Sequence, residues 1–159
     1  MTVALRRATI EDAGAVGDVF LDSFHATYAF PLAHTDEEVR AWLRERLIPN
    51  EEVWVAVDGD AIVAMIALAP GWLEQLYVAP EWLGQGIGAT LMQLAKERQP
   101  SGLQLWTFQV NARARRFYEA HDFVAVEETR DSNQERQPDV RYVWDGAPAA
   151  PAGGYPPEP

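Results

Sequence analysis

The chain contains no cysteine in 159 residues, and that one absence excludes disulfides, thiolate catalysis and cysteine-based zinc sites together. Its three histidines, His25, His34 and His121, lack the spacing of joint metal ligands, so no metal role is expected. No run of about eighteen apolar residues exists, and the opening stretch MTVALRRATIEDAG lacks the charged-then-apolar layout of a signal peptide. A soluble, cytoplasmic protein with no membrane partner is the expectation. Basic residues are scarce as well: 13 Lys and Arg against 24 Asp and Glu leave a net charge of -11. Nucleic-acid binders draw affinity from clustered cations that neutralise phosphates, so nucleic acid is not an expected partner. An acidic surface does tolerate a cationic substrate.

What is present suits one domain with a real core, since 48% of residues are apolar and 11% aromatic. VALRRA reads as a first strand. Thr9 with Asp12 forms a variant capping box for a helix carrying Ala13, Val16 and Phe20 on one face. Thr35 and Glu38 form a full capping box for TDEEVRAWLRERL, whose apolar stripe is Val39, Leu43 and Leu47. EVWVAVDGDAIVAMIAL is two strands around Asp58-Gly59, a hairpin signal that implies antiparallel pairing. WLEQLYV is the next strand. A helix follows from about Gly86, with Ile87, Leu91, Leu94 and Ala95 on its buried side, and Pro100 stops it. LQLWTFQV is a further strand, and Asn111 can cap a helix carrying Ala114, Phe117, Tyr118 and His121. Two last strands, near DFVAVEE and VRYVW, flank a polar loop. From residue 146 onward Pro, Gly and Ala dominate, so 1–145 is expected to be the domain and 146–159 a disordered tail.

The stretch LYVAPEWLGQGIGATLM sets Gly84, Gly86 and Gly88 where a strand gives way to a helix. Glycine costs about 1 kcal/mol against alanine in a helix interior, so three near a helix start need a local reason. Exposed backbone N–H groups at the positive end of a helix form an anion cradle, for which phosphate or pyrophosphate is the natural guest. No Lys follows these glycines, which excludes a nucleoside-triphosphate loop. A dinucleotide fingerprint lacks its acidic residue about 20 positions on, where Gln109, Val110 and Asn111 stand. Close packing of the helix on the sheet is the plain structural alternative.

Two motifs together resemble the GNAT superfamily of acyl-CoA-dependent N-acetyltransferases. One is LEQLYV, a Pro-Glu turn and the run Leu83-Gly84-Gln85-Gly86-Ile87-Gly88; the other is Asn111, Ala114, Phe117, Tyr118 and Glu119 in N-x-x-A-x-x-F-Y-E spacing. The resemblance covers Val3 to Trp144. It implies an α/β fold, with a mixed and mostly antiparallel central sheet and helices on both faces. It also implies acetyl-CoA as co-substrate and direct transfer of the acetyl group to a primary amine, of a small molecule or a protein, by a monomer or homodimer. The family's Gln or Arg is Leu83 here, and its Gly before the last Phe is Asp122, a residue that tolerates the left-handed conformation.

Residue by residue, the resemblance assigns the pyrophosphate to the amides of Gly84, Gln85, Gly86, Ile87, Gly88 and Ala89, with Leu83 beside them. Backbone groups of Leu76, Tyr77 and Val78 are implied to pair with pantetheine and the acyl oxygen. Asn111 caps its helix and can touch the cofactor. Tyr118 is the expected general acid, because a phenol is protonated at pH 7 and can donate to a leaving thiolate. Glu74, two residues before Leu76 and so on the same face, is the expected base, its pKa raised by burial among Trp72, Leu76 and other apolar groups, with bulk water as the rival. Phe24, Tyr28, Trp72 and Trp106 are expected on the acceptor side. A non-catalytic acyl-CoA-binding module is the alternative if Leu83 marks decay; an interaction domain using the Pro-rich tail is a third reading, weakened by the lack of a PxxP motif.

Overall fold

The computed structural model describes residues 3–148; of the expected tail, residues 149–159 lie outside the described residues. Seven strands form one sheet: β1 (Ala4–Arg7), β2 (Glu52–Asp58), β3 (Ala61–Ala69), β4 (Trp72–Val78), β5 (Leu103–Phe108), β6 (Val124–Glu128) and β7 (Asp139–Trp144). Their spatial order is β1-β2-β3-β4-β5-β7-β6. Every neighbouring pair is antiparallel except β4 and β5, which are parallel. The sheet is therefore mixed and mostly antiparallel, as the sequence implied. From Val63 to Leu68, β3 is buried throughout, and its unbroken apolar run is the pattern of a strand covered on both faces.

Two helical layers do the covering. On one face, α1 (Ala13–Thr27) and α2 (Asp36–Trp42) bring Val16, Phe20 and Val39 onto Val55 and Met65. On the other, α4 (Ile87–Arg98) and α5 (Ala112–Ala120) bring Leu91, Met92 and Tyr118 onto Ile66, Leu105 and Tyr142. Burying each such side chain stabilises the fold by roughly 1.5–3 kcal/mol. The Thr35–Glu38 capping box is formed in both directions, at 3.1 and 2.8 Å. The helix it opens is not uniform, however. After Trp42 it widens into a π turn (Leu43–Leu47) before the short α3 (Ile48–Asn50). Leu43 and Leu47 remain buried with Val39, so packing of the apolar stripe tolerates the wider turn.

Two features open the middle of the sheet. In β4, Ala67 faces Gln75 while Leu68 faces Leu73, which leaves Glu74 as the extra residue of a β-bulge. A bulge bends its strand and sharpens the twist. In addition, β4 and β5 pair only at Trp72 and Gln104, with a 2.9 Å bond from the Gln104 N–H to the Gly71 carbonyl. Beyond that point the two strands part. The bulge also corrects the alternation argument for Glu74: Leu73 and Leu76, three apart, both join the core under α4, so counting by twos fails across this segment.

Candidate active site

The parted strands open a cleft of about 1220 Å³ that runs from the α1–α2 side to the start of α4. At one end lie the glycines. Gly84 and Gly86 have φ of 80° and 82°, a left-handed conformation in which other residues are strained, and a Cβ on either would meet nothing within 4 Å. Open space stands in front of that backbone. The first helical bond of α4 runs from the Thr90 N–H to the Gly86 carbonyl, so the N–H groups of Ile87, Gly88 and Ala89 have no helical acceptor. Gly88 has another reason to be small, because a Cβ there would stand 3.3 Å from Phe117 on α5. The close-packing explanation thus applies to Gly88 and the cradle explanation to Gly84 and Gly86. Leu83, 42% exposed, lines the cleft beside them; Gln85 does not line it.

Tyr118 also lines the cleft. The α5 helix starts at Asn111, whose Oδ1 accepts the Ala114 N–H at 3.0 Å, and its phase turns Tyr118 toward the sheet. Only 8% of Tyr118 is exposed, yet its hydroxyl makes no hydrogen bond with any described residue. Burial pushes its pKa well above that of a free phenol, with the nearby Tyr28 adding to the effect. Tyr77, half-buried on β4 against Phe20, is raised in the same way, by burial and then by Tyr28, Tyr118 and Glu135. Tyr28 takes a hydrogen bond from the Asn111 Nδ2 at 2.8 Å, which joins the end of α1 to the start of α5. Tyr28, Tyr77 and Tyr118 therefore all line the one cleft.

The acceptor side is aromatic. Tyr28 packs on Phe24, Phe30 and Phe108 at 4.8 to 5.1 Å between ring centroids. Phe24 is buried behind that surface, and Trp106, 42% exposed, stands on the cleft wall. Trp72 is not brought to the cleft, since it occupies the closed end where β4 and β5 still pair. Its placement on the acceptor side is corrected accordingly. Glu74 lines the cleft with an exposed side chain instead of lying among Trp72 and Leu76. Its pKa is nonetheless raised, mainly by partial desolvation and secondarily by Glu51. Leu76, Tyr77 and Val78 line the unpaired edge of β4.

Sequence reasoning gave no site role to Thr107, Phe108, Glu38 or the residues Asn133 to Glu135, all of which line the cleft. The first two stand at the end of β5, just before the Asn111 cap. Glu38 has a local signal, but for capping α2; Asn133 to Glu135 have none, because only the meeting of two distant loops brings them there.

Residues 49–125 match the family model described as an acetyltransferase (GNAT) domain. An uncharacterized N-acetyltransferase of Archaeoglobus fulgidus is 32% identical over 136 residues, spanning 74% of this chain and 90% of that protein. The chain belongs to the GNAT acetyltransferases. It is an N-acetyltransferase with acetyl-CoA as acetyl donor, and the reading as a non-catalytic module gives way. The peptidyl-lysine N-acetyltransferase YiaC of Escherichia coli is 27% identical, over 77% of this chain and 84% of its own. The solution structure of apo-form YjaB from Escherichia coli superposes with a TM-score of 0.76 at 25% identity, covering 92% of this chain and all of that one. The cradle suits the donor: free amides, a positive helix end and no side chain in the way match a pyrophosphate. Among the described residues, no helix is long and apolar enough to cross a membrane.

Proposed function

We propose that this N-acetyltransferase modifies primary amines of the lysine type, in peptides or as small molecules, by direct attack of the neutral amine, and that it works in the cytoplasm as a monomer or homodimer. Peptidyl-lysine activity in the name of a relative supports the acceptor class. The observation that carries the site assignment is the convergence, in one cleft, of the free amides of α4 and the unpaired Tyr118 hydroxyl.

Bound acetyl-CoA supplies an electrophilic thioester carbonyl. The amides from Gly84 to Ala89 hold the pyrophosphate, and the open edge of β4 at Leu76, Tyr77 and Val78 offers N–H and C=O groups that have no strand partner on β5. The Tyr118 hydroxyl holds the proton that the departing sulfur needs, and its raised pKa keeps that proton in place at every physiological pH. Glu74 takes the proton of the incoming ammonium, directly or through water, and desolvation moves its basicity in the useful direction. Tyr28 and Trp106 flank the acceptor's alkyl chain. Residues 1–145 constitute the catalytic domain.

The test is release of free thiol from acetyl-CoA in the presence of lysine peptides and small alkyl amines. Acceptor-dependent release with a mass gain on the amine is the expected result. Thiol release that no amine accelerates would overturn the acceptor assignment.

A further inference from the structure

The ten-residue connection between β6 and β7 is built, not slack. Thr129 donates its hydroxyl to the Asp139 carboxylate, and the Asn133 Nδ2 donates to the Gln137 carbonyl at 2.6 Å and to the Asp139 Oδ2 at 2.9 Å. Gln109, just past the end of β5, donates to the carbonyls of Thr129 and Asp139, both at 3.0 Å. Arg136 adopts φ of 56°, turning the chain directly after Glu135. The loop so held reaches across to the α1–α2 connection. There the Glu135 Oε2 accepts the Ala33 N–H at 3.0 Å, and Gln134 pairs with the His34 ring at 2.9 Å. The second oxygen of Glu135 has no hydrogen-bond partner among the described residues, and Glu135 lines the cleft.

Charge along the cleft is one-sided. Glu38, Glu74, Glu135 and Asp139 line it, while Arg113 on α5 is the one Lys or Arg that does. Glu38 and Asp139 already accept hydrogen bonds, and Glu74 sits at the bulge. Glu135, like Glu38, is held through one oxygen only, but Glu38 is exposed whereas Glu135 is half-buried. A ligand for this cleft is independently called for by the Tyr118 hydroxyl, buried and unpartnered on its wall. Tyr77 lines the same cleft as Glu135 and Tyr118, and both add to the burial that raises its pKa.

We infer that Glu135 anchors a second cationic group of the acceptor, one that is not the reacting amine, and so selects acceptors carrying two positive centres. The physical reason is that the reacting amine already has Glu74 as its base, and a second carboxylate held against that amine would only stabilise its ammonium form further. A carboxylate elsewhere on the wall of the same cleft instead grips a charge that persists through the reaction. This rests on the acceptor reading above and sharpens it. The second cation has two sources, a small diamine or a basic residue next to the acetylated lysine, and both present the same ammonium or guanidinium chemistry.

Putrescine is compared with butylamine, and a capped tripeptide with Arg beside Lys is compared with one bearing Ala in that place, each with acetyl-CoA. Calorimetry of putrescine against the protein loaded with coenzyme A gives a readout that does not depend on turnover. The parent protein should favour the dication of at least one pair by roughly tenfold in kcat/KM. Glu135→Gln, which keeps an acceptor oxygen for the Ala33 N–H, should bring that ratio to about one, with the loss in KM, and weaken putrescine binding to match. Glu135→Asp should restore part of the preference. The pair that responds identifies the source. A parental ratio near one for both pairs, or a ratio that Glu135→Gln leaves intact, overturns the inference while acetyl transfer stands. If no amine is acetylated, the acceptor assignment fails and takes this inference with it.

Discussion

Replacing Tyr118 with Phe removes one oxygen from a ring that is 8% exposed. The ring stays wedged by Phe117, Phe123 and Tyr142, at centroid distances of 5.5, 5.8 and 6.1 Å. Because the hydroxyl bonds to no described residue, its loss leaves no partner orphaned. An unpaired hydroxyl in an apolar setting costs about 1–3 kcal/mol on mutational scales, and water in the cleft offsets part of that. The variant should therefore be as stable as the parent or more so, by up to about 1 kcal/mol. Turnover should fall roughly 10- to 10³-fold, equivalent to about 1.4–4 kcal/mol of barrier, with KM near the parental value. A coenzyme A thiol resembles cysteine, with a pKa of about 8.5, so the loss should shrink as pH rises past that value. A second readout follows from linkage. The folded-state pKa of Tyr118 is raised, so the stability that its neutral form contributes is complete below the unfolded value of about 10 and is lost as pH climbs above it. Urea denaturation of the parent should weaken above about pH 10, and the variant less, with Tyr77 still contributing. Thiol release across pH 6.5 to 9.5 and denaturation across pH 8 to 11 are the assays. Full activity at pH 7 would make Tyr118 a packing residue; loss of folding or of acetyl-CoA binding would make the hydroxyl structural.

Glu74→Gln should lower turnover by roughly 10²-fold and shift the low-pH limb of the rate profile, a limb that lies above the usual Glu range because the carboxyl is raised; an unchanged profile would leave water as the base. Gly86→Asn, a side chain that tolerates φ of 82°, should fold with a loss of about 1 kcal/mol or less yet bind acetyl-CoA at least tenfold more weakly in calorimetry, since its side chain enters the open space before the α4 amides. Unaltered affinity would refute the cradle. Leu83→Arg, at an exposed position on the cleft rim, should tighten acetyl-CoA by about 1 kcal/mol through an added phosphate contact; a weakening would mean that this side chain faces away from the phosphates.

Local chemistry was legible where one element decides it. The Thr35–Glu38 box, the hairpin signalled by Asp58-Gly59 and the Asn111 cap each act within four residues, and each is present, with Gly59 and Asp60 as the two loop residues between the paired Asp58 and Ala61. Asp122 does take the left-handed conformation, at φ of 74°. Apolar periodicity put Leu91 and Ala95 in the core correctly. What failed was periodicity carried across an irregularity. Glu74 counts as a neighbour of Leu76 only in a regular strand, and the bulge that breaks the count arises from pairing with β3, not from anything in WLEQLYV itself. The π turn at Leu43–Leu47 is invisible for the same reason: its stripe reads as an ordinary helix. Trp72 was placed by its aromatic character, whereas its pairing with Gln104 fixes it at the closed end. Glu135 depends on a contact spanning 102 residues, which no window on the sequence contains.

Central strands usually form the slowest-exchanging part of a sheet, because each amide is tied to a neighbour on either side. Here β4 and β5 are central by position but behave as rims toward each other beyond Trp72 and Gln104. Alternate N–H groups along Leu73–Val78 and Leu105–Phe108 look into the cleft without a strand to receive them. A hydrogen–deuterium exchange map of the free protein should therefore show a fast stripe down the middle of the sheet, with slower blocks at β2–β3 and at β5–β7 pairing on either side. Loading the cleft supplies the missing rungs, so the stripe should slow on binding, and the two half-sheets should then open as one unit instead of two.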